Sequence, residues 1–137
     1  MADQLELNEV EPFGEYEGQK IGLKGRLDLI SAEKLGEKIE GKLGSPAKVI
    51  GSGEVRTLGI VSGGAADILS QAAADDLDAY LTGEGANHHY HEAIESRCVL
   101  ILAGHYGTET GGVKAVGKHL EEQFGIKTEF LDYPTGM

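Results

Sequence analysis

The segment Cys98–Glu109 reads CVLILAGHYGTE and joins an apolar run to a polar tip. The continuous apolar run Cys98–Ala103 is typical of a strand that is covered on both faces of a sheet. His105 and Glu109 follow it four residues apart, and on a helical turn residues with this spacing share one face. An imidazole nitrogen and a carboxylate are ligands that zinc, manganese and iron(II) accept. The segment therefore predicts a core strand whose end carries a metal-binding His–Glu pair.

Strand and helix patterns alternate along the rest of the chain. The first twenty residues are polar and acidic, and we expect a loop or an edge segment there. Apolar periodicity then predicts strands at 21–29, 48–50, 57–61, 78–81, 98–103 and 127–132, and helices at 32–43, 66–74, 88–96 and 110–124. This alternation predicts one α/β domain over residues 1–137, with a mixed, largely parallel sheet flanked by helices.

Two helices carry more specific signals. Ser31 is a good N-cap for the helix that follows it, and Gly44 is a typical helix stop. The helix expected at 110–124 carries apolar residues at helical spacing, which predicts an inner face packed against the sheet. These residues are Val113, Val116, Leu120 and Phe124.

Composition excludes several classes of function. The chain has 12 basic and 23 acidic residues and a net charge of −11, so a phosphate backbone would repel it. Aromatic residues make up 6% and Trp is absent, which argues against stacking on single strands. No apolar run approaches the roughly 20 residues of a membrane span. We therefore expect neither nucleic acid nor membrane as a partner.

The expected cellular compartment follows from the start of the chain and from its cysteine content. The start, Met1–Glu6, has no basic region followed by an apolar core, so it does not resemble a signal peptide. Cys98 is the single cysteine, lies in the apolar run and is expected to behave as a small hydrophobic residue. We expect a cytoplasmic protein.

Polar motifs follow three of the predicted strands. They are Ser62–Gly64, Thr82–Glu84 and Gly104–His105. If those strands are parallel, all three motifs lie at one edge of the sheet, where α/β proteins place their sites. Glu84 is then a candidate ligand or general base, or a solvated carboxylate. The Gly63–Gly64 pair fits either a tight turn or a phosphate-binding loop, and the second reading would make this a nucleotide-binding domain.

All five histidines lie between positions 88 and 119. His88, His89 and His91 surround a predicted helix start, and His88 and His91 are spaced to share a face. One of the three can lie near a bound metal, or the group can be a polar helix start. His119 is expected on the surface.

These motifs resemble the carboxyl half of the Nif-three-like proteins, which are also known as GTP cyclohydrolase I type 2 homologues. The resemblance is carried by the TGE at 82–84 with its trailing histidines, by the GHYGTE at 104–109, and by the ending TEFLDYP at 128–134. It covers roughly residues 20–133.

The resemblance implies a metal-dependent hydrolase. The family has two α/β halves, forms ring-like hexamers and holds a pair of bridged metal ions between the halves. His105 and Glu109 match the metal ligands of the carboxyl half, whereas Glu84 and His91 match neighbouring positions and are our catalytic candidates. The implied cofactor is zinc, iron or manganese, with one or two ions. The implied partners are further copies of the chain and a small-molecule substrate, with a nucleotide as one candidate.

One departure from the family keeps a second hypothesis open. The family's amino half supplies an adjacent His pair and an Asp, but these 137 residues contain no His before His88. The chain is therefore either half of a hydrolase or a non-catalytic metal-binding module that assembles into a ring-shaped oligomer.

Overall fold

Residues 1–134 are described by a computed structural model, in which six strands form one mixed sheet between two layers of helices. The strands are β1 (Asn8–Tyr16), β2 (Gln19–Ser31), β3 (Lys48–Ile50), β4 (Glu54–Ile60), β5 (Ala79–Thr82) and β6 (Val99–Leu102). The α-helices are α1 (Ala2–Leu5), α2 (Ala32–Leu43), α3 (Leu69–Ala74), α4 (Asn87–Ser96) and α5 (His105–Phe124), and a 3₁₀ turn (Ala66–Ile68) precedes α3.

The sheet order is β1-β2-β4-β5-β6-β3, and only its centre is parallel. Strands β4, β5 and β6 pair in parallel, whereas β1–β2, β2–β4 and β3–β6 pair antiparallel. The mixed α/β fold is thus confirmed, but the parallel part is smaller than the sequence suggested. The reason lies near the start of the chain, where Glu17 and Gly18 both have positive φ (49° and 79°). Such a pair forms the tight turn of an antiparallel hairpin, so Asn8–Tyr16 is an edge strand.

The central strands β5 and β6 are buried on both faces. Residues alternate sides along each strand, so each of these strands contributes to two cores. In β6, Val99 and Ile101 join the cluster under α2, whereas Leu100 joins the cluster under α3 and α4. Cys98 belongs to the second cluster, and burial raises the pKa of its thiol to about 12. The thiol therefore stays protonated near neutral pH, as expected of a packing residue.

The boundaries of α2 confirm the capping signals. The Ser31 hydroxyl accepts a hydrogen bond from the Lys34 N–H at 3.3 Å, and Gly44 ends the helix at φ 66°. Because an N-cap serine contributes about 1 kcal/mol, we expect Ser31→Ala to lower the free energy of unfolding by that amount. Urea titration would measure this change, and an unchanged midpoint would contradict it.

Two boundaries in the last third of the chain differ from the prediction. Helix α5 begins at His105 rather than Thr110, so His105 itself is helical. Residues 127–132 form no strand; they return along α5 instead. Thr128 donates two hydrogen bonds to Glu121 (2.8 and 2.9 Å), and Asp132 accepts one from Tyr106 (2.8 Å). Since β3 already pairs with β6, the outer edge of β6 is not free for another strand.

The predicted inner face of α5 is wrong, because its apolar residues face outward. Val113, Val116 and Phe124 are 63, 60 and 68% exposed, and the buried residues of the helix are Gly107 and Thr108 in its first turn. The helical spacing correctly predicted that these apolar residues share one face of α5, which we call the α5 stripe. It did not predict that the sheet leaves this face exposed. No helix within residues 1–134 has the length and apolarity needed to cross a bilayer.

Candidate metal centre

The three polar motifs meet at one edge of the sheet, as the parallel pairing of their strands requires. Backbone hydrogen bonds continue the ladder past the strand ends: the Gly83 N–H donates to the Gly63 carbonyl and the Gly104 N–H to the Gly83 carbonyl, both at 2.8 Å. The loops after β4, β5 and β6 are therefore held in register. His105 and Glu84 are each placed by one of them.

Thr108 fastens the first turn of α5 to the loop after β4. Its buried hydroxyl accepts a hydrogen bond from the Gly63 N–H at 3.0 Å and lies 3.0 Å from the carbonyls of Gly104 and His105. Because α5 begins at His105, Thr108 lies inside its first turn and ties that turn to the sheet edge.

His105 lies between two carboxylates. Its Nδ1 is 2.9 Å from Glu84 Oε1, and its Nε2 is 3.2 Å from Glu109 Oε1. The two nitrogens point to opposite edges of the ring, so the carboxylates occupy opposite sides of it. Gly63 lies beneath the pair: a Cβ there would come within 2.6 Å of Glu109 Oε1. The absence of a side chain at Gly63 is thus what gives the pair its space.

The two carboxylates favour the charged imidazolium. The hydrogen bond to Glu84, helped by the charges of Glu109 and Glu84, raises the pKa of His105 above its ordinary value. A raised folded-state pKa means that this attraction stabilises the protein at low pH and is lost as pH rises through that pKa. A metal ion needs the neutral ring, so protons compete with it over the same range.

We therefore expect Glu84→Gln to lower the pKa of His105 in metal-free protein, because the Glu84 hydrogen bond is the main cause of the shift. An NMR titration of the ring protons of His105 would measure it. Glu122→Gln, which changes a carboxylate elsewhere on α5, is the control. Equal midpoints in the wild type and Glu84→Gln would show that Glu84 does not hold this ring.

The geometry separates the roles of the two carboxylates. If Nε2 binds an ion together with Glu109, Nδ1 keeps its proton and donates it to Glu84. Ligating histidines are commonly oriented by a carboxylate on their other nitrogen, which fixes the tautomer. With an ion on Nε2, Glu84 would orient the ring of His105; its catalytic role stays a prediction. All three side chains are about half exposed and reachable from solvent.

His91 lies apart from these three residues. It is exposed on α4, with its ring 5.3 Å from that of Tyr90, and within residues 1–134 it makes no hydrogen bond or ion pair with Glu84, His105 or Glu109. Its catalytic role therefore stays a prediction.

A second cluster of potential ligands, which local sequence patterns do not predict, lies near the same edge. Asp67, His88 and His89 bring one potential ligand atom each within 4.8 Å of the others, so this group can hold a metal ion. The two histidines were candidates, but Asp67 was not. The feature that could have identified Asp67 is its place directly after the Gly63–Gly64 loop, where the structure has a 3₁₀ turn.

Two backbone N–H groups of the loop after β4 donate to side chains of the protein. Gly63 donates to Thr108 and Ala65 donates to Thr82 (3.0 and 3.3 Å), while Gly63 itself adopts φ 74°. This arrangement fits the tight-turn interpretation of the glycine pair. The phosphate-binding alternative gains no support from it.

Comparison with known proteins matches this fold and its motifs to one family. The profile of Duf34/NIF3 (NGG1p interacting factor 3) covers residues 1–135. The chain belongs to the Duf34/NIF3 family. The resemblance drawn from the TGE and GHYGTE motifs is therefore confirmed, and it extends further toward the start of the chain than those motifs showed.

The similar Duf34/NIF3 members are about twice as long. A Halobacterium salinarum protein named GTP cyclohydrolase 1 type 2 homolog is 41% identical, over 100% of this chain and 56% of its own length. A homologue of the same name from Pyrococcus horikoshii is also 41% identical, over 97% of this chain and 54% of its own. The chain thus spans about half the length of these relatives.

Solved structures agree with the fold. The protein TTHA1606 from Thermus thermophilus superposes with a TM-score of 0.83 at 33% identity, covering 99% of this chain and 54% of its own. The protein ybgI, of unknown function, gives a TM-score of 0.84 at 28% identity over 98% of this chain and 54% of its own.

Proposed function

We propose that this chain binds a divalent metal ion through His105 and Glu109 and forms one half of a metal-dependent hydrolase. The observation that carries the proposal is the 3.2 Å approach of His105 Nε2 to Glu109 Oε1 at the carboxyl edge of the parallel strands. Family membership and the shared name of the relatives, GTP cyclohydrolase 1 type 2 homolog, support the reaction class.

His105 and Glu109 fit a metal ion that accepts both nitrogen and oxygen ligands. An imidazole and a carboxylate suit zinc, iron(II) and manganese, and the lack of a side chain at Gly63 leaves room next to both ligand atoms. Two protein ligands leave further positions for water or for groups from another subunit. A bound divalent ion supplies a water of lowered pKa at this point.

The chain's own residues prepare that chemistry. Glu84 accepts the Nδ1–H of His105 and keeps Nε2 directed toward Glu109. The hydrogen bond from the Gly63 N–H to Thr108 holds the first turn of α5 against the sheet. The side chains of His105 and Glu109 are thereby kept on the same face of that turn. We assign general acid–base work to His91 only as a candidate, on the family resemblance.

A nucleotide is the substrate class that we propose, following the name of the relatives. The test is incubation of the protein with GTP and Mn²⁺, with products separated by mass spectrometry. We expect metal-dependent conversion that Glu109→Ala abolishes and His119→Ala leaves intact. Unchanged GTP in the wild type would contradict the nucleotide assignment.

A second candidate function, assembly, is favoured by the outward stripe on α5. Beside Glu109, a cavity of about 580 Å³ lies between β2 and α5, lined by apolar residues that include Ile21, Leu23, Val113 and Val116. Exposed apolar patches of this kind mark interaction surfaces. We propose that a second copy of the chain covers this face and completes the site beside Glu109.

We therefore expect a mass in solution that is a multiple of 14.5 kDa, measured by light scattering at micromolar concentration. Val116→Glu should lower the mass because it places a charge in the covered face. His119→Glu, which adds the same charge at a polar exposed position, should not. A wild-type mass of one chain would contradict self-assembly.

A further inference from the structure

A cavity of about 340 Å³ lies beside the proposed metal centre, between the loop after β5 and the 3₁₀ turn that precedes α3. Its polar side chains are Glu84, Asp67 and His89, and the rest of the lining is small: Gly64, Ala66, Gly85 and Ala86. A Cβ at Gly64 would lie 3.2 Å from Glu84 Oε1 and 3.6 Å from His105 Cε1. The cavity therefore borders the ring of His105.

His89 is the buried polar member of this lining, and both of its ring nitrogens are engaged. The residue is 5% exposed, and its Nδ1 accepts a hydrogen bond from the Ala86 N–H at 2.9 Å. A nitrogen that accepts carries no proton, so the ring proton lies on Nε2 and is donated to Asp67 Oδ1, 2.9 Å away. The spacing of this cluster would suit a metal ion, but Nε2 has no free lone pair for one. His89 instead orients the carboxylate of Asp67.

Asp67 keeps most of its capacity to accept hydrogen bonds. Its side chain is 92% exposed, and among residues 1–134 the hydrogen bond to this carboxylate comes from His89 and ends on Oδ1. A carboxylate offers about four lone-pair sites on its two oxygens. The second lone pair of Oδ1 and both lone pairs of Oδ2 therefore remain available. Asp67 can accept two N–H groups side by side while His89 holds it in place.

We propose that this cavity binds the base of the substrate and that Asp67 selects guanine. The inference rests on the proposed nucleotide substrate and names its base. Guanine presents two neighbouring donors, N1–H and the N2 amino group, which match the two oxygens of one carboxylate. Adenine would direct the lone pair of its N1 at the same carboxylate, so it fits poorly. Asp67 is then the residue that determines specificity, and His89 is the residue that positions it.

The size and charge of the cavity favour the base over the rest of a nucleotide. Pockets that take small molecules have volumes of about 300–1,000 Å³, so 340 Å³ suits a base better than a whole nucleotide. Its charged side chains, Glu84 and Asp67, are both carboxylates and would repel a phosphate. The phosphates therefore lie outside the cavity, and the neutral base is the part that enters it.

The test measures binding of nucleosides to the full chain in the presence of EDTA, so that neither phosphate nor metal contributes. Guanosine, inosine and xanthosine are titrated while ¹H–¹⁵N spectra follow the backbone signals of Asp67 and His89. We expect guanosine to give saturable shifts at both residues. Inosine lacks the N2 amino group and should bind about tenfold more weakly, because one hydrogen bond to a charged acceptor is lost.

Asp67→Asn is expected to exchange the preference from guanosine to xanthosine. His89 still donates to Oδ1 of the asparagine, so its Nδ2 takes the place of the second carboxylate oxygen. The pair of acceptors becomes one acceptor and one donor, which match the N1–H and O2 of xanthine. Guanosine binding should fall at least about tenfold, and xanthosine should then bind more tightly than guanosine.

Asp28→Asn is the matched control, since it makes the same change at an exposed position on β2 and should keep the preference for guanosine. The proposal fails if guanosine does not bind to the wild type up to millimolar concentration. It also fails if Asp67→Asn still prefers guanosine over xanthosine. Because metal is absent throughout, either failure leaves metal binding by His105 and Glu109 untouched, and a loss of metal binding would not alter these results.

Discussion

Mn²⁺ binding is expected to weaken by about a hundredfold or more in Glu109→Ala, and likewise in His105→Ala. Each change removes one of two protein ligands, and even losing a residue that only orients a ligand costs about 10- to 100-fold. Manganese is the right probe because it favours carboxylate oxygen. The electron paramagnetic resonance signal of free Mn²⁺ measures the affinity directly.

Two further variants make this result specific. Glu84→Gln should weaken Mn²⁺ binding less, by about tenfold, because Glu84 orients His105 without ligating the ion. Glu122→Ala removes a carboxylate on the outer part of α5 and should leave the affinity unchanged. If Glu109→Ala and His105→Ala both bind Mn²⁺ as the wild type does, the ligand assignment is wrong.

Gly83→Ala is expected to lower the free energy of unfolding by about 3 kcal/mol and to disturb the metal site with it. A Cβ at Gly83 would lie 2.7 Å from the Gly63 carbonyl oxygen, 2.8 Å from His105 Cα and 2.8 Å from Thr108 Oγ1. Two of these are backbone atoms that cannot rotate away, so the loop after β4 and the start of α5 must move apart. Overpacking of this kind costs roughly 1–3 kcal/mol.

Gly41→Ala is the matched control for that experiment. Gly41 lies in α2 with nothing within 4 Å of its added Cβ, so alanine should raise stability by about 0.5–1 kcal/mol through helix propensity. Chemical denaturation measures both variants, and Mn²⁺ affinity is measured on the folded Gly83→Ala protein. A Gly83→Ala protein with wild-type stability and affinity would show that the close approach of these loops is unimportant.

Local patterns in the sequence predicted the centre of the fold. The apolar run before His105 and the polar motifs after three strands were enough to place Gly63, Glu84 and His105 at one edge, because parallel strands end together. Ser31 and Gly44 likewise indicated the ends of α2. These predictions depend on periodicity and capping, which act over a few residues.

Periodicity and capping could not predict the features that depend on contacts between distant parts of the chain. Asp67 meets His88 and His89 only because the 3₁₀ turn before α3 lies beside the start of α4, well separated from it along the chain. Residues 127–132 have the pattern of a strand, but the edge of β6 that they could pair with is occupied by β3. The stripe on α5 shows the same limit: periodicity states that Val113 and Val116 share a face, but not which surface covers it.

The opposed contacts of His105 were not predictable either. The sequence placed Glu84 and Glu109 near the ring but left open whether both would reach the same nitrogen. In the structure Glu84 meets Nδ1 and Glu109 meets Nε2. This division is what makes one carboxylate a ligand candidate and the other a positioning residue.

Anomalous diffraction from crystals soaked in Mn²⁺ would show where this chain holds the ion. We expect a peak between His105 Nε2 and the carboxylate of Glu109, with Glu84 still bonded to Nδ1. A crystal that binds manganese elsewhere while these two side chains keep their contact with each other would contradict it.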